Sequence, residues 1–131
     1  MPSPSVDASL IVTLLNEADS IGVLLRSIEA QTVMPAEVVF VDGGSIDRTV
    51  EILREWQPPA SVAVEIFIEP GAGISRGRNR AVEAARHDIL LVTDAGTQLD
   101  AHWIERMWGA FGSEHTPDVV SGFFHPSGAT F

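Results

Sequence analysis

The chain has 131 residues, 45% of them hydrophobic, which fits one small folded domain rather than a disordered segment. Its net charge of −10 argues against non-specific binding to nucleic acid or to an acidic membrane surface. Without Cys or Lys there are no disulfides, thiol chemistry, Schiff bases or P-loop lysine, and no apolar run reaches the ~20 residues of a membrane span. Met1 to Asp7 lacks the apolar core of a signal peptide, so a cytoplasmic location is expected.

Ser9 to Leu15 reads as a first strand. Asp19 can cap a helix in which Ile21, Leu24, Leu25 and Ile28 follow the i, i+3, i+4, i+7 pattern. Pro35 breaks the chain before a second strand, Glu37 to Val41. Ser45 and Asp47 open a second helix, with Ile46, Val50, Leu53 and Trp56 facing inward, and Pro58-Pro59 ends it. Val62 to Ile68 forms a third strand, followed by a tight loop at Pro70-Gly71-Ala72-Gly73. A third helix carries Ile74, Gly77, Ala81 and Ala85 on one side, small residues that imply close packing on a sheet. Ile89 to Thr93 is a fourth strand, and Asp100 caps a helix from Ala101 to Phe111. Pro117 then precedes a last apolar run, Val119 to Phe124.

Strands alternating with helices define an α/β chain: a mainly parallel sheet flanked by helices, with every strand's carboxyl end on one rim. The first, second and fourth strands should be neighbours. There is no internal repeat, and residues 1–131 read as one domain that is expected to continue past Phe131.

Two apolar runs end alike. Val38-Val39-Phe40-Val41 leads into Asp42-Gly43-Gly44-Ser45, and Ile89-Leu90-Leu91-Val92 into Thr93-Asp94-Ala95-Gly96. Continuous apolar runs bounded by turn residues are strands buried on both faces. The acid and glycine after each put a carboxylate and bare backbone at the rim where open α/β sheets bind ligands. Carboxylates there suit the hydroxyls of a nucleotide.

All eight cations are Arg, and Arg76, Arg78, Arg80 and Arg86 fall within eleven residues. Such a patch on an acidic chain suits a small anionic ligand, although Arg80 and Arg86 can equally pair with acidic neighbours such as Glu83. Gly71-Ala72-Gly73-Ile74-Ser75-Arg76-Gly77 has the wrong spacing for a dinucleotide fingerprint and follows the third strand rather than the first. Its glycines still lead into a helix N-terminus, whose N–H groups and dipole favour a diphosphate. His87, His102, His115 and His125 show no metal-ligand spacing beyond a weak His102/Glu105 turn and read as surface residues.

In order and spacing, Thr13-Leu14-Leu15-Asn16-Glu17, Val41-Asp42-Gly43-Gly44-Ser45-Ile46-Asp47-Arg48-Thr49, Gly73-Ile74-Ser75-Arg76-Gly77-Arg78-Asn79 and Asp94-Ala95-Gly96 resemble the family 2 glycosyltransferases, over about Ser9 to Phe124. The resemblance implies the Rossmann-like nucleotide-sugar-binding half of a GT-A fold, in an inverting enzyme of cell envelope polysaccharide biosynthesis. The expected donor is a nucleotide-diphosphate sugar, above all a UDP-sugar, with no nucleic acid as partner. Thr13, Leu14, Leu15, Glu17 and Asp42 then correspond to the base and ribose pocket. Arg76, Arg78 and Asn79 lie near the diphosphate, and Asp94 and Ala95 belong to the DxD-like motif. In such a motif the first acid usually holds ribose and the last a divalent metal.

Three positions depart from the family pattern. Leu15 replaces a base-stacking aromatic, Gly43 a second acid, and Gly96 the usual metal-ligand acid. Asp94 would have to hold Mg²⁺ or Mn²⁺ alone or with Asp100, or the diphosphate would carry the metal. The general base for the acceptor hydroxyl is expected beyond Phe131, and the whole protein could work at the inner face of the membrane. Two other readings are open: a non-catalytic nucleotide-binding remnant or regulatory module, and a nucleotidyltransferase. The latter lacks a basic Gly-rich loop after the first strand.

Overall fold

The structure, a computed structural model, describes residues 3–112 and 117–122. Eight elements alternate: β1 (Ser5–Leu14), α1 (Ile21–Glu29), β2 (Met34–Asp42), α2 (Thr49–Glu55), β3 (Ala63–Ile68), α3 (Ile74–Ala84), β4 (Ile89–Asp94) and α4 (Trp103–Phe111). The strands form one parallel sheet in the order β3-β2-β1-β4. The three strands expected to be neighbours therefore are.

The two faces of the sheet are covered unequally. Leu10, Val12 and Leu14 of β1, with Val38 and Phe40 of β2, face α1, α2 and α4 through Leu24, Ile28, Leu53 and Ile104. Ile11, Val39 and Val41 face the opposite way onto α3 and Ala81. This follows from topology. Two crossovers lead outward from β1 through β2 to β3, with α1 and α2 on one face. The third returns to β4 past β1 and so lays α3 on the other face. The chain changes direction between β1 and β4, and the crevice at such a switch point is where open α/β sheets hold ligands.

Gly77 sets how closely α3 sits on the sheet. A β-carbon there would lie 3.2 Å from Thr13 Cγ2 and 3.7 Å from Val41 Cγ1. At the sheet's other end the buried Glu37 carboxylate accepts from the Ser9 hydroxyl and from the Arg86 N–H, both at 2.6 Å, tying β1, β2 and the α3–β4 connection together.

Several expectations need correcting. β1 starts at Ser5 and stops at Leu14, leaving Leu15 52% exposed beyond the sheet. Pro35 lies inside β2 rather than before it, paired with Val6 beside a register shift in β1. Met34 N–H bonds Pro4 on the β1 side, so the N–H that Pro35 lacks would point toward β3, whose pairing begins only at Glu37. Ser20, not Asp19, stands at the start of α1, with its hydroxyl given to Glu17. Ile46 is 94% and Ile74 65% exposed, because α2 starts only at Thr49 and the first residue of α3 overhangs the rim. The fourth helix starts at Trp103, after Asp100 accepts from the His102 N–H in the preceding turn. Residues 117–122 are neither helix nor strand, while Phe123, Phe124, His115 and His125 lie outside the described residues.

Candidate functional site: the rim at the carboxyl ends of β1, β2 and β4

Sheet register places the sequence-derived site residues side by side. Thr13 is level with Val41 and Asp94, and Leu14 with Asp42. The N-terminus of α3 reaches the same rim. Gly73 precedes the helix in extended backbone, and no side chain caps it. One turn in, Arg78 Nη2 donates to Asp94 Oδ1 at 3.0 Å, although the two residues are 16 apart in sequence. Both side chains are substantially exposed (44% and 69%), so solvent screens the pair. Arg78 Nε, in contrast, is buried and has no hydrogen-bond partner.

The arginine cluster divides. Arg80 is held by Glu69 at 3.1 Å and lies over the Phe67 ring, and Arg86 pairs with Glu65 at 2.7 Å. Their partners come from β3 and the loop after it, not from Glu83. Arg76 and Arg78 are left at the rim, with Arg76 and Asn79 exposed on α3.

Asp42 is fully buried and turned into its own loop. Oδ2 accepts from Gly44 N–H at 3.0 Å and Ser45 N–H at 2.7 Å, and Oδ1 accepts from the Ser45 hydroxyl. This Asx turn needs Gly44 at φ 99°, a left-handed conformation costly for other residues. Gly43 is constrained by space. A β-carbon there would fall 2.9 Å from the Ala72 carbonyl oxygen, so the 70–73 loop fills the place where an acidic side chain would start.

Sequence reasoning did not anticipate a clasp between the two rim loops. Asn16 N–H donates to Ser45 Oγ at 2.8 Å, and Asn16 Oδ1 accepts from Ile46 N–H at 2.9 Å. Glu17 N–H donates to Thr49 Oγ1 at 2.9 Å, and Ala18 N–H to Asp47 Oδ2 at 3.1 Å. The Thr49 hydroxyl, then backbone N–H groups of Thr49 and Ala18, hold the Asp47 carboxyl below its usual pKa. Ser45 and Asp47 thus fix the loop that carries Leu15 and Glu17, while Glu17's own carboxylate accepts from Ser20. The recurrence of Asn, Ser, Asp and Thr, all able to bond nearby backbone, was the available signal.

The segment after β4 is positioned from behind. Gln31 Nε2 donates to the Asp100 carbonyl at 2.6 Å, its Oε1 accepts from Ile104 N–H at 3.0 Å, and Ser27 Oγ accepts from Leu99 N–H at 3.1 Å. Ala95 is buried next to Asp94, whereas Gly96 is exposed with nothing within 4 Å of a β-carbon placed on it. Among the described residues no three His, Cys, Asp or Glu side chains gather into a metal-binding group. No helix among them is long and apolar enough to cross a membrane.

An all-parallel sheet, a polar rim at its switch point and α3 directed at that rim are those of a Rossmann-like α/β domain of the GT-A type. The glycosyl transferase family 2 pattern matches residues 9–131, and the chain belongs to that family. It is 35% identical over 116 residues to a PGL/p-HBAD biosynthesis glycosyltransferase of Mycobacterium bovis, covering 87% of this chain and 45% of that protein. Glycosyltransferase AglE of Haloferax volcanii is 33% identical over 128 residues, covering 93% and 41%. The fold also matches Staphylococcus aureus TarS 1–349, solved in complex with UDP, with a TM-score of 0.70 and 24% identity over 82% of this chain and 32% of that one. The chain thus spans less than half the length of each of these proteins.

Proposed function

We propose that the rim binds a nucleotide-diphosphate sugar, a UDP-sugar first, and that the whole protein transfers the sugar with inversion to an acceptor hydroxyl in cell envelope polysaccharide biosynthesis. One observation carries this reading: at the switch point an arginine from the start of α3 meets the acid that ends β4. Asp94 accepts from ribose hydroxyls. Arg78 and Arg76, with the uncapped N–H groups of α3, take the diphosphate. Leu15 offers an exposed apolar surface to the base beside Thr13 and Leu14, and the Asp42 turn and Glu17 shape the loops around it. Asn79 lies on α3 next to Arg78.

In the transfer the acceptor oxygen bonds to the anomeric carbon as the bond from that carbon to the diphosphate oxygen breaks. The acceptor proton passes to a general base. Arg78 stabilises the charge that develops on the leaving diphosphate, as preorganised donors do at any developing anion.

Calorimetry with UDP and with uridine tests the reading. UDP is expected to bind more tightly. Arg78→Ala should remove about 1.5–3 kcal/mol from UDP binding, the scale of a hydrogen bond to a charged group, and little from uridine. Equal losses for both ligands would refute the phosphate role.

A further inference from the structure

The acidic rim does not fit a protein-held divalent cation. Asp94 is the carboxylate at the end of β4, and its Oδ1 already accepts from Arg78 Nη2 at 3.0 Å. Gly96 brings no side-chain ligand atom to the open space beside it. The next acid, Asp100, is committed to α4: its Oδ1 accepts from His102 N–H at 2.9 Å and lies 3.8 Å from Arg106 Nη1. Asp42 is turned into its own loop. A cation approaching Asp94 would meet a guanidinium of like charge already on its Oδ1.

Arg78 has the donors to act in its place. One terminal nitrogen, Nη2, holds Asp94, and the Arg78 side chain stays 44% exposed at the rim, so the terminal edge of its guanidinium remains open to a ligand while Nε is buried. A planar guanidinium can engage a carboxylate on one edge and a phosphate on another. We propose that Arg78, seated on Asp94, does the work of the divalent cation at this rim, so that the chain binds a nucleoside diphosphate equally well without metal. This rests on the donor-binding reading above and adds to it how the diphosphate charge is met.

The test is a UDP titration of the full chain in excess EDTA and again with MnCl₂, repeated with Arg78→Gln and Gly96→Asp. Unmodified protein should give dissociation constants within about twofold in the two buffers. Arg78→Gln should weaken binding in EDTA by about tenfold or more, with partial recovery in Mn²⁺ because Asp94 is then free to ligate. Gly96→Asp, which the open space accommodates, should make binding at least about tenfold tighter in Mn²⁺ than in EDTA. The proposal is overturned if the unmodified chain loses tenfold or more of its affinity in EDTA, or if Arg78→Gln binds as the unmodified chain does in EDTA. UDP binding by the unmodified chain that depends on the cation overturns this proposal alone and leaves the donor-binding reading standing. A chain that binds UDP in neither buffer overturns both.

Discussion

Replacing Phe40 with Ala is expected to destabilise the domain by about 3–5 kcal/mol, the range for removing a fully buried aromatic side chain. Phe40 is wholly buried in the second strand from the sheet's edge, and its ring meets Trp56, the residue after α2, edge-on at 6.0 Å. Truncation removes that contact and leaves a cavity beneath the helix that follows the Asp42 loop. Leu at the same position retains most of the volume and should lose less than half as much. Urea unfolding of the three proteins measures the difference, and a cost for Ala below about 1 kcal/mol would mean that the core packs differently.

Replacing Gly77 with Leu should combine a stability loss with a loss of the site. A β-carbon alone would already press Thr13 Cγ2 at 3.2 Å, and the rest of a leucine has to displace either α3 or the end of β1. Overpacking of this kind costs about 1–3 kcal/mol and occasionally more. Because Arg78 is the next residue and Thr13 is level with Asp94, the displacement separates the pair as well. Gly77→Ala should stay within about 1 kcal/mol of the unmodified chain, since better helix propensity offsets the tight contact. Thermal unfolding and UDP titration should therefore fall together for Leu and hold for Ala. A leucine variant as stable as the parent and binding UDP equally would contradict the close approach of α3 to the sheet.

The sheet was legible because its strands are buried on both faces and so appear as unbroken apolar runs. The rim was legible because turn chemistry follows those runs at once. Helix starts were not. Ile46 and Ile74 carry the right residue type in the right period, but periodicity does not reveal that a helix begins three residues later or overhangs an edge. Asp42 illustrates a different limit. A carboxylate before Gly-Gly-Ser can face a ligand or close its own turn, and the sequence is the same in both cases. The expected adjacency of β1, β2 and β4 did not extend to side chains: the Arg78–Asp94 contact joins α3 to the end of β4 across 16 residues of sequence. The two residues were each readable as ligand contacts, but not as partners of one another.

The central claim is that the rim at the ends of β1, β2 and β4 binds a nucleoside diphosphate. An amide chemical-shift map of the ¹⁵N-labelled chain titrated with UDP tests it most directly. The largest changes should fall on Leu15 to Glu17, Gly43 to Ser45, Gly73 to Asn79 and Asp94 to Gly96, the loops that converge on the Arg78–Asp94 pair. A shallow depression lined by Asp7, His87, Asp88 and Trp108 lies where β1 and β4 begin, at the opposite end of the sheet. Changes centred there, or none at the rim at saturating UDP, would contradict the account.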